Sequence, residues 1–472
     1  MADQFNLAGL PSVALDGSSP AEDRIDAMNR LRRGELRAIF TVDIFNEGVD
    51  IPEVDTLLLL RPTESATVFL QQLGRGLRWA EGKSVLTVLD FIGQANADYR
   101  FDIRFRALLG GTRRQTEHAI VAKFPLMPPG CAIRLDEISQ EIILENIRLA
   151  LRRSRRALLD DLRGLPPKTT LGEFLESSAY DLEDVYASPG PSNTFTAMRR
   201  GVGYERRPAG PNDAAVSGAI GRMLHIDDEE RYSTWAHWLR ANAPPATADP
   251  GTRLGRLQLM LFAALGNRRR PASELQEAFS DVWRSPALKD ELLELLEVLR
   301  DRSRLESVPI DPDGDVPIHS HATYSLYELI AAYGLVSNGI LRENREGVLW
   351  VPDYQSDLFF ITLNKAEADY SPTTLYQDYP ISPTLFHWES QSRTAPESPT
   401  GQRYVNHVAR GTQVVLFVRD SRRDERDVSS PYVCLGPARY VQHESSRPMR
   451  VTWELERAMP TELYQEAKVA AG

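Results

Sequence analysis

Four residues in one short stretch have the types and spacing to grip an anion: Gln71, Gly74, Arg75 and Arg78 in QQLGRGLR, which fits Q-x-x-G-R-x-x-R. On a helix, Gln71, Arg75 and Arg78 fall at i, i+4 and i+7, so all three point along one face. Two guanidinium forks then converge, and such forks bind phosphate oxygens bidentately. A second polar stretch precedes them. Residues 41–62, TVDIFNEGVDIPEVDTLLLLRP, read as the end of a strand at Thr41, a polar turn holding Gly48 and Asp50, a Pro52 that ends the turn, and a second apolar strand.

Phosphoryl transfer also needs a G-x-x-x-x-G-K-[ST] loop and an Asp-Glu box to hold phosphates and Mg²⁺, and the sequence shows neither. Gly82-Lys83-Ser84 imitates the end of such a loop, but position 77 is leucine and the tripeptide precedes a strand instead of opening a helix. Leu135-Asp136-Glu137-Ile138 falls at a helix start, not behind a buried strand. None of the eight histidines has lysine two residues on, which excludes H-x-K phosphodiester cleavage. Cys131 and Cys434 make no disulfide framework, and no Cys or His cluster has zinc spacing.

In these residues the chain resembles superfamily-two helicases, whose motif V matches residues 41–50 and whose motif VI matches residues 71–78. The resemblance implies a RecA-like domain in which Arg75 and Arg78 are arginine fingers for the γ-phosphate of ATP, assisted by Gln71. It further implies that Gly48, Asp50 and Gly74 line the nucleotide and that Thr41 belongs to the loop that tracks the nucleic-acid strand. Asp50 would touch the ribose or couple the two sites. Relative to that domain, the chain is expected to begin after the first strand. ATP and Mg²⁺ are therefore expected only with a complementary N-terminal motor half, as a separate polypeptide or a missing segment.

The elements around these motifs alternate as parallel α/β units do: a strand at 12–16, a helix at 21–33 closed by Gly34, a strand at 36–42, a strand at 56–60, a helix at 65–79 and a strand at 84–91. Continuous apolar strands between helices predict a parallel sheet covered on both faces. Helical periodicity dominates from about 130 to 310, as at 137–159 and 290–305. Between these helices, 188–211 reads as a loop or linker. Beyond about 324 come a helix at 325–333 and short strands at 348–351, 358–363, 385–388, 413–419, 432–435, 439–443 and 450–455, which predict a β-rich barrel or sandwich. The expected domains are 1–118, an N-terminally truncated second RecA-like domain, 119–315, a helical coupler, and 316–472, a DNA-reading domain.

Residues 363–407, LNKAEADYSPTTLYQDYPISPTLFHWESQSRTAPESPTGQRYVNH, resemble the C-terminal domain of helicases that accompany phospholipase-D-type nucleases, as in SauUSI-type modification-dependent restriction enzymes. That resemblance implies reading of modified cytosine in DNA. A flipped base needs an aromatic pocket and polar groups, and the segment offers Tyr379, Phe386, Trp388 and Tyr404 beside His387, Ser390, Gln391, Arg393, Gln402 and Arg403. Alternation in LFHWES puts Phe386 and Trp388 on one side and His387 and Glu389 on the other. The DNA contacts expected here are Trp388, Ser390, Gln391, Arg393 and Arg403, while a plain β core remains the competing reading of each aromatic.

A formal charge of −11 argues against binding nucleic acid by bulk charge. Forty-nine arginines stand against six lysines, with clusters such as Arg268-Arg269-Arg270, a bias that codon usage alone would also produce. No apolar run approaches a membrane span and the first residues lack a signal-peptide pattern, so a cytoplasmic protein is expected. Function thus reads as the C-terminal portion of an ATP-dependent DNA helicase or translocase of the restriction or repair type. The alternative is a non-catalytic DNA-binding adaptor, with an RNA helicase fragment ranked behind both.

Overall fold

The computed structural model describes residues 1–41, 52–60, 66–91, 101–109, 113–124, 127, 130–151, 155–178, 180–303, 305–344, 346–364, 378–391, 394–424 and 426–471. The chain divides into two compact units, Met1–Arg153 and Ser154–Gly472. In the first unit helices and strands alternate: α1 (Ala2–Leu7), β1 (Ser12–Leu15), α2 (Ala21–Arg32), β2 (Ala38–Thr41), β3 (Thr56–Leu59), α3 (Ala66–Gly76), β4 (Thr87–Asp90), α4 (Phe101–Leu109), α5 (Arg113–Val121) and α6 (Glu137–Leu151). Glu22 and Asp23 in the first turn of α2, with Arg30 and Arg32 in its last, complement the helix dipole. Gly34, at φ +72°, then supplies the left-handed turn that leads towards β2.

β1 pairs in parallel with β2, Ser12 opposite Ala38, and β3 pairs in parallel with β4, Thr56 opposite Thr87. Among the described residues the expected parallel sheet is thus two parallel pairs. Its expected cover on both faces also differs, because Leu60 and Leu89 are exposed and β3 is only half-buried. The buried clusters here are small, one of Leu15, Ala27 and Leu36 and one of Phe101, Ile120, Phe124, Ile143 and Ile147. An apolar strand reads the same in sequence whether its own chain or another surface covers it.

The second unit opens with nine helices among its described residues, α7 (Arg155–Arg163), α8 (Leu171–Ser177), α9 (Leu182–Val185), α10 (Phe195–Gly201), α11 (Asp213–Ile220), α12 (Glu229–Arg240), α13 (Arg253–Ala264), α14 (Leu275–Trp283) and α15 (Pro286–Arg302). The helical periodicity expected at 137–159 falls on α6 and α7. The linker expected at 188–211 contains α10, whose Phe195 and Met198 are buried. That helix begins on a carboxylate 96 residues away in sequence: Glu291 accepts from the Phe195 N–H at 2.6 Å, the Thr196 N–H at 2.8 Å and the Tyr186 hydroxyl at 2.8 Å. Thr194 caps it locally, its hydroxyl accepting from the Ala197 N–H at 3.1 Å, whereas the part of Glu291 is silent in local composition.

The remaining elements are β5 (Val308–Pro309), β6 (His319–Ser320), β7 (Thr323–Tyr324), α16 (Leu326–Ala332), β8 (Val336–Ser337), β9 (Ile340–Leu341), β10 (Val348–Val351), β11 (Ser356–Thr362), β12 (Tyr379–Pro380), β13 (Leu385–Glu389), α17 (Pro399–Val405), α18 (His407–Arg410), β14 (Gln413–Arg419), β15 (Tyr432–Glu444), β16 (Arg450–Leu455) and α19 (Thr461–Ala471). They build one open mixed sheet in the order β10-β11-β14-β15-β16-β13-β12, with β7 added to β15. The expected barrel or sandwich is corrected to this open sheet, since its two edges, β10 and β12, do not meet. The deciding feature is β11 pairing in parallel with β14, Ser356 opposite Gln413. A parallel pair needs a long crossover, and alternation within each strand carries no trace of it.

Every residue of β11 is buried, because the sheet is covered on both faces. Leu358 and Phe360 share one core with the helices from α7 onward, while Phe359 and Ile361 share another with Tyr404, Trp453 and Leu463. The core that Leu358 and Phe360 join thus holds residues from both sides of position 315. Buried charge reinforces the join. The Arg231 guanidinium of α12 is fully buried, donates to Glu328 at 2.8 Å and the Thr323 carbonyl at 2.7 Å, pairs with Asp228, and lies 4.1 Å over the Tyr324 ring.

Candidate functional site

The anion-gripping pattern lies on and just beyond α3. Phe69 turns inward, and the buried Arg104 guanidinium of α4 lies 4.2 Å over its ring while pairing with Asp90 of β4 at 2.6 Å. Burial raises the Asp90 pKa and Arg104 opposes that shift. The far end is fixed by close packing, because a Cβ on Gly76 would meet the Leu86 and Leu57 side chains at 2.8 to 3.0 Å. With this inner face anchored, Gln71, Gly74 and Arg78 are exposed.

Arg78 departs from the expected geometry. The helix ends at Gly76, so Gln71 and Arg75 are helical while Arg78 stands in the following turn. The cause is Lys83, whose ammonium donates to the Pro52 carbonyl at 2.8 Å, the Arg78 carbonyl at 3.1 Å and the Gly76 carbonyl. An ammonium has three N–H donors, and these three meet three carbonyls. Lys83, part of a false phosphate loop in sequence, is thus a clamp that ties Pro52 to the end of the arginine motif. Sequence reasoning missed it, although the rarity of lysine in this chain is a usable signal. Arg would be the unremarkable residue here, and its planar fork fixes its donors in one plane where an ammonium's three rotate freely.

Thr41 is the last residue of β2, half-buried and paired opposite Leu15. Gly48, Asp50 and the Arg75 side chain lie outside the described residues, as does Arg393. The candidate anion site therefore rests on Gln71, Gly74 and Arg78, held by Lys83, Phe69 and Gly76.

In the C-terminal sheet three of the expected DNA contacts, Trp388, Ser390 and Arg403, are engaged within the fold. Trp388 is buried, 4.3 Å between ring centroids from Phe359 and 5.6 Å from Tyr404. Ser390 is fully buried, and its hydroxyl accepts from the Met449 N–H at 2.9 Å while donating to the Gln391 carbonyl at 3.1 Å. Arg403 forms a two-pronged pair with the buried Asp357 at 2.6 and 2.8 Å and lies 4.3 Å over the Trp350 ring. Burial raises the Asp357 pKa, against the opposing pull of Arg403. The polar groups of Ser390 and Arg403 are thus already satisfied within the sheet, as groups shielded from water must be.

The expected alternation on β13 does hold, with Phe386 and Trp388 inside and His387 and Glu389 half-exposed. Gln391 is exposed, and the exposed Tyr379 stacks on His387 at 4.7 Å between centroids. No group of metal-ligating side chains suited to an ion occurs among the described residues. No helix of the described residues is long and apolar enough to cross a membrane.

The helicase conserved C-terminal domain profile matches residues 1–80, and the profile of a domain of unknown function (DUF3427) matches residues 322–467. The chain is similar to the putative ATP-dependent helicase IRC3 of Saccharomyces cerevisiae, with 36% identity over 92 residues, 20% of this chain and 13% of that protein. It is also similar to the pre-mRNA-splicing ATP-dependent RNA helicase prp28 of Schizosaccharomyces pombe, at 33% over 104 residues, 22% of this chain and 15% of that one. The DNA 3'-5' translocase XPB2 of Sulfurisphaera tokodaii is 32% identical over 85 residues, 18% of this chain and 19% of its own length. The chain thus spans less than a fifth of each of these relatives, and it carries a helicase C-terminal part followed by a second recognisable domain.

Proposed function

We propose that this chain supplies the second motor half and a DNA-contacting region to an ATP-dependent DNA translocase or helicase of the restriction or repair type. One observation carries the reading: within the stretch matched as a helicase C-terminal domain, Gln71 is exposed on a helix anchored by Phe69 and Gly76, and Arg78 is exposed in the turn that Lys83 holds. Arg75 and Arg78 act as arginine fingers on ATP held by a complementary N-terminal half, with Gln71 orienting them. ATP and its Mg²⁺ bring the transferable phosphoryl group, and this chain's residues meet the charge that spreads over it. Gly48, Asp50 and Gly74 line the nucleotide, and Thr41 belongs to the strand-tracking loop.

The direct test measures DNA-stimulated ATP hydrolysis by the purified chain alone and mixed with an N-terminal half bearing a phosphate-binding loop. Activity is expected only in the mixture, and Arg78→Ala in it is expected to lower the rate by about 10³–10⁵, the worth of an arginine finger. A fully active Arg78→Ala mixture sinks the finger assignment. An inactive mixture that still binds DNA favours the adaptor reading.

Reading of a modified cytosine, in this proposal, falls to the exposed Gln391 and the Tyr379–His387 stack, not to Trp388, Ser390 or Arg403. Binding to matched duplexes with and without 5-methylcytosine, at two salt concentrations, decides it. A methyl preference that survives the higher salt supports base reading, because phosphate contacts weaken steeply with salt. Equal, salt-sensitive binding retires it.

A further inference from the structure

The arginine triplet 268–270 divides in the structure. Arg270 is neutralised by Glu274 at 3.0 Å, Asp281 at 3.3 Å and Glu277 at 3.6 Å. Arg268 and Arg269 are exposed and make no ion pair among the described residues. Arg268 instead lies 5.1 Å over the ring of Tyr327, at the start of α16. Beside it stands Arg222, from the turn after α11, whose guanidinium likewise has no hydrogen bond or carboxylate partner among the described residues. Burial and the neighbouring Arg268 push the Arg222 pKa down, and no acidic group offsets them.

The Arg222 guanidinium rests on Gly266, where a Cβ would fall 2.5 Å from its Nη2, and Gly266 has φ +82°. The positive φ favours glycine there, and its missing Cβ leaves the space the guanidinium occupies. The Arg222 turn is held from both sides, by Arg426 donating to the Gly221 carbonyl at 2.8 Å and by His225 Nδ1 at 3.0 Å from the Arg222 carbonyl. Nearby carboxylates are already engaged: Glu328 with His225 and Arg231, and Asp424 with Arg426. Two like charges held together without a counter-charge are costly unless an anion completes them. An aromatic ring under one of them adds a surface on which a base or sugar can lie.

We infer that Arg222, Arg268 and Tyr327 form a contact for the DNA phosphodiester backbone on the second unit, separate from the helicase motif. This rests on the DNA-binding reading above. The test uses the full chain and a fluorescein-labelled duplex, with affinity measured by anisotropy from 50 to 300 mM salt. For R222Q/R268Q the slope of log K against log[salt] is expected to be shallower by about 1.8, since each lost phosphate contact removes about 0.9. R222K/R268K is expected to keep most of the slope because charge is retained, and R439Q, which breaks a surface pair with Glu456, to keep all of it. An unchanged slope in a folded R222Q/R268Q chain overturns the inference while leaving the DNA reading intact. Failure of the unaltered chain to bind any duplex overturns both. If the double variant melts early, R268Q alone serves, with an expected fall of about 0.9; an unchanged slope there overturns the inference equally.

Discussion

The two units of this chain solve the problem of apolar surface differently. In Ser154–Gly472 the large exposed apolar side chains are few and scattered, and elements distant in sequence are joined by buried charge, as Arg231 joins α12 to Glu328 of α16. In Met1–Arg153 the joins are local clamps such as Lys83, and Leu7, Leu77, Trp79, Val85, Phe91 and Ile138 are all exposed, Trp79 at 84%. The second unit buries most of its large apolar side chains, whereas the first leaves many of them exposed among the described residues.

The sharpest way to break this comparison is Arg231→Met. Removing the cation leaves Asp228 and Glu328 buried without it, which is expected to cost about 3–5 kcal/mol in a urea melt followed by tryptophan fluorescence. A loss below about 1 kcal/mol would mean that buried charge does not hold the second unit together. In the first unit the corresponding change, Lys83→Met, is expected to cost about 2 kcal/mol, because one charged donor group leaves three carbonyls. In the reconstituted motor it should also slow ATP hydrolysis by moving Arg78, and Lys83→Arg is expected to recover stability only in part. Full recovery by arginine would remove the geometric argument for lysine.

Acid sharpens the contrast. Burial alone would raise the pKa of Glu230, but hydrogen bonds from His319 at 2.8 Å and Arg253 at 2.5 Å hold it at about 2. Glu328, also buried, is held at about 2 by His225 and Arg231. Both values lie below the roughly 4.3 of an unfolded glutamate. The stability these groups contribute is therefore complete above about pH 4.5 and is lost as pH falls towards 2. His319→Gln is expected to move the acid unfolding midpoint of the second unit to higher pH, measured by far-UV circular dichroism. An unmoved midpoint would detach Glu230 from acid stability. The smallest effect is expected from Trp79→Gln, within about 0.5 kcal/mol in stability, together with weaker association with an N-terminal motor half in a pull-down titration.

Much of this architecture could be read from spacing. Strand runs such as 348–351 and 413–419 match β10 and β14 residue for residue, because strict turn signals bound them. Elsewhere a second, distant chain segment decides the outcome. The helix at 195–201 needs Glu291, and the open sheet needs the parallel register of Ser356 with Gln413. The candidate site divides in the same way. Gln71 and Gly74 were legible because the motif is contiguous, but Arg78 leaves the helix on account of Lys83, seven residues beyond Gly76. Arg403 looked like a DNA contact because Asp357, its partner 46 positions away, is silent in sequence.

The long-range closure of the second unit bears on the order in which a ribosome delivers this chain. In the first unit β1 and β2 are separated by only a short helical segment, so that pair can form as soon as residue 41 has emerged. In the second, β13 waits for β16, and the core that α7 enters also contains Cys434. At roughly 5–20 residues per second, α7 leaves the tunnel about 15–60 s before β16 completes the sheet. Through that interval the apolar faces of nine described helices lack their final cover, and they are the part of a nascent chain that a chaperone would meet.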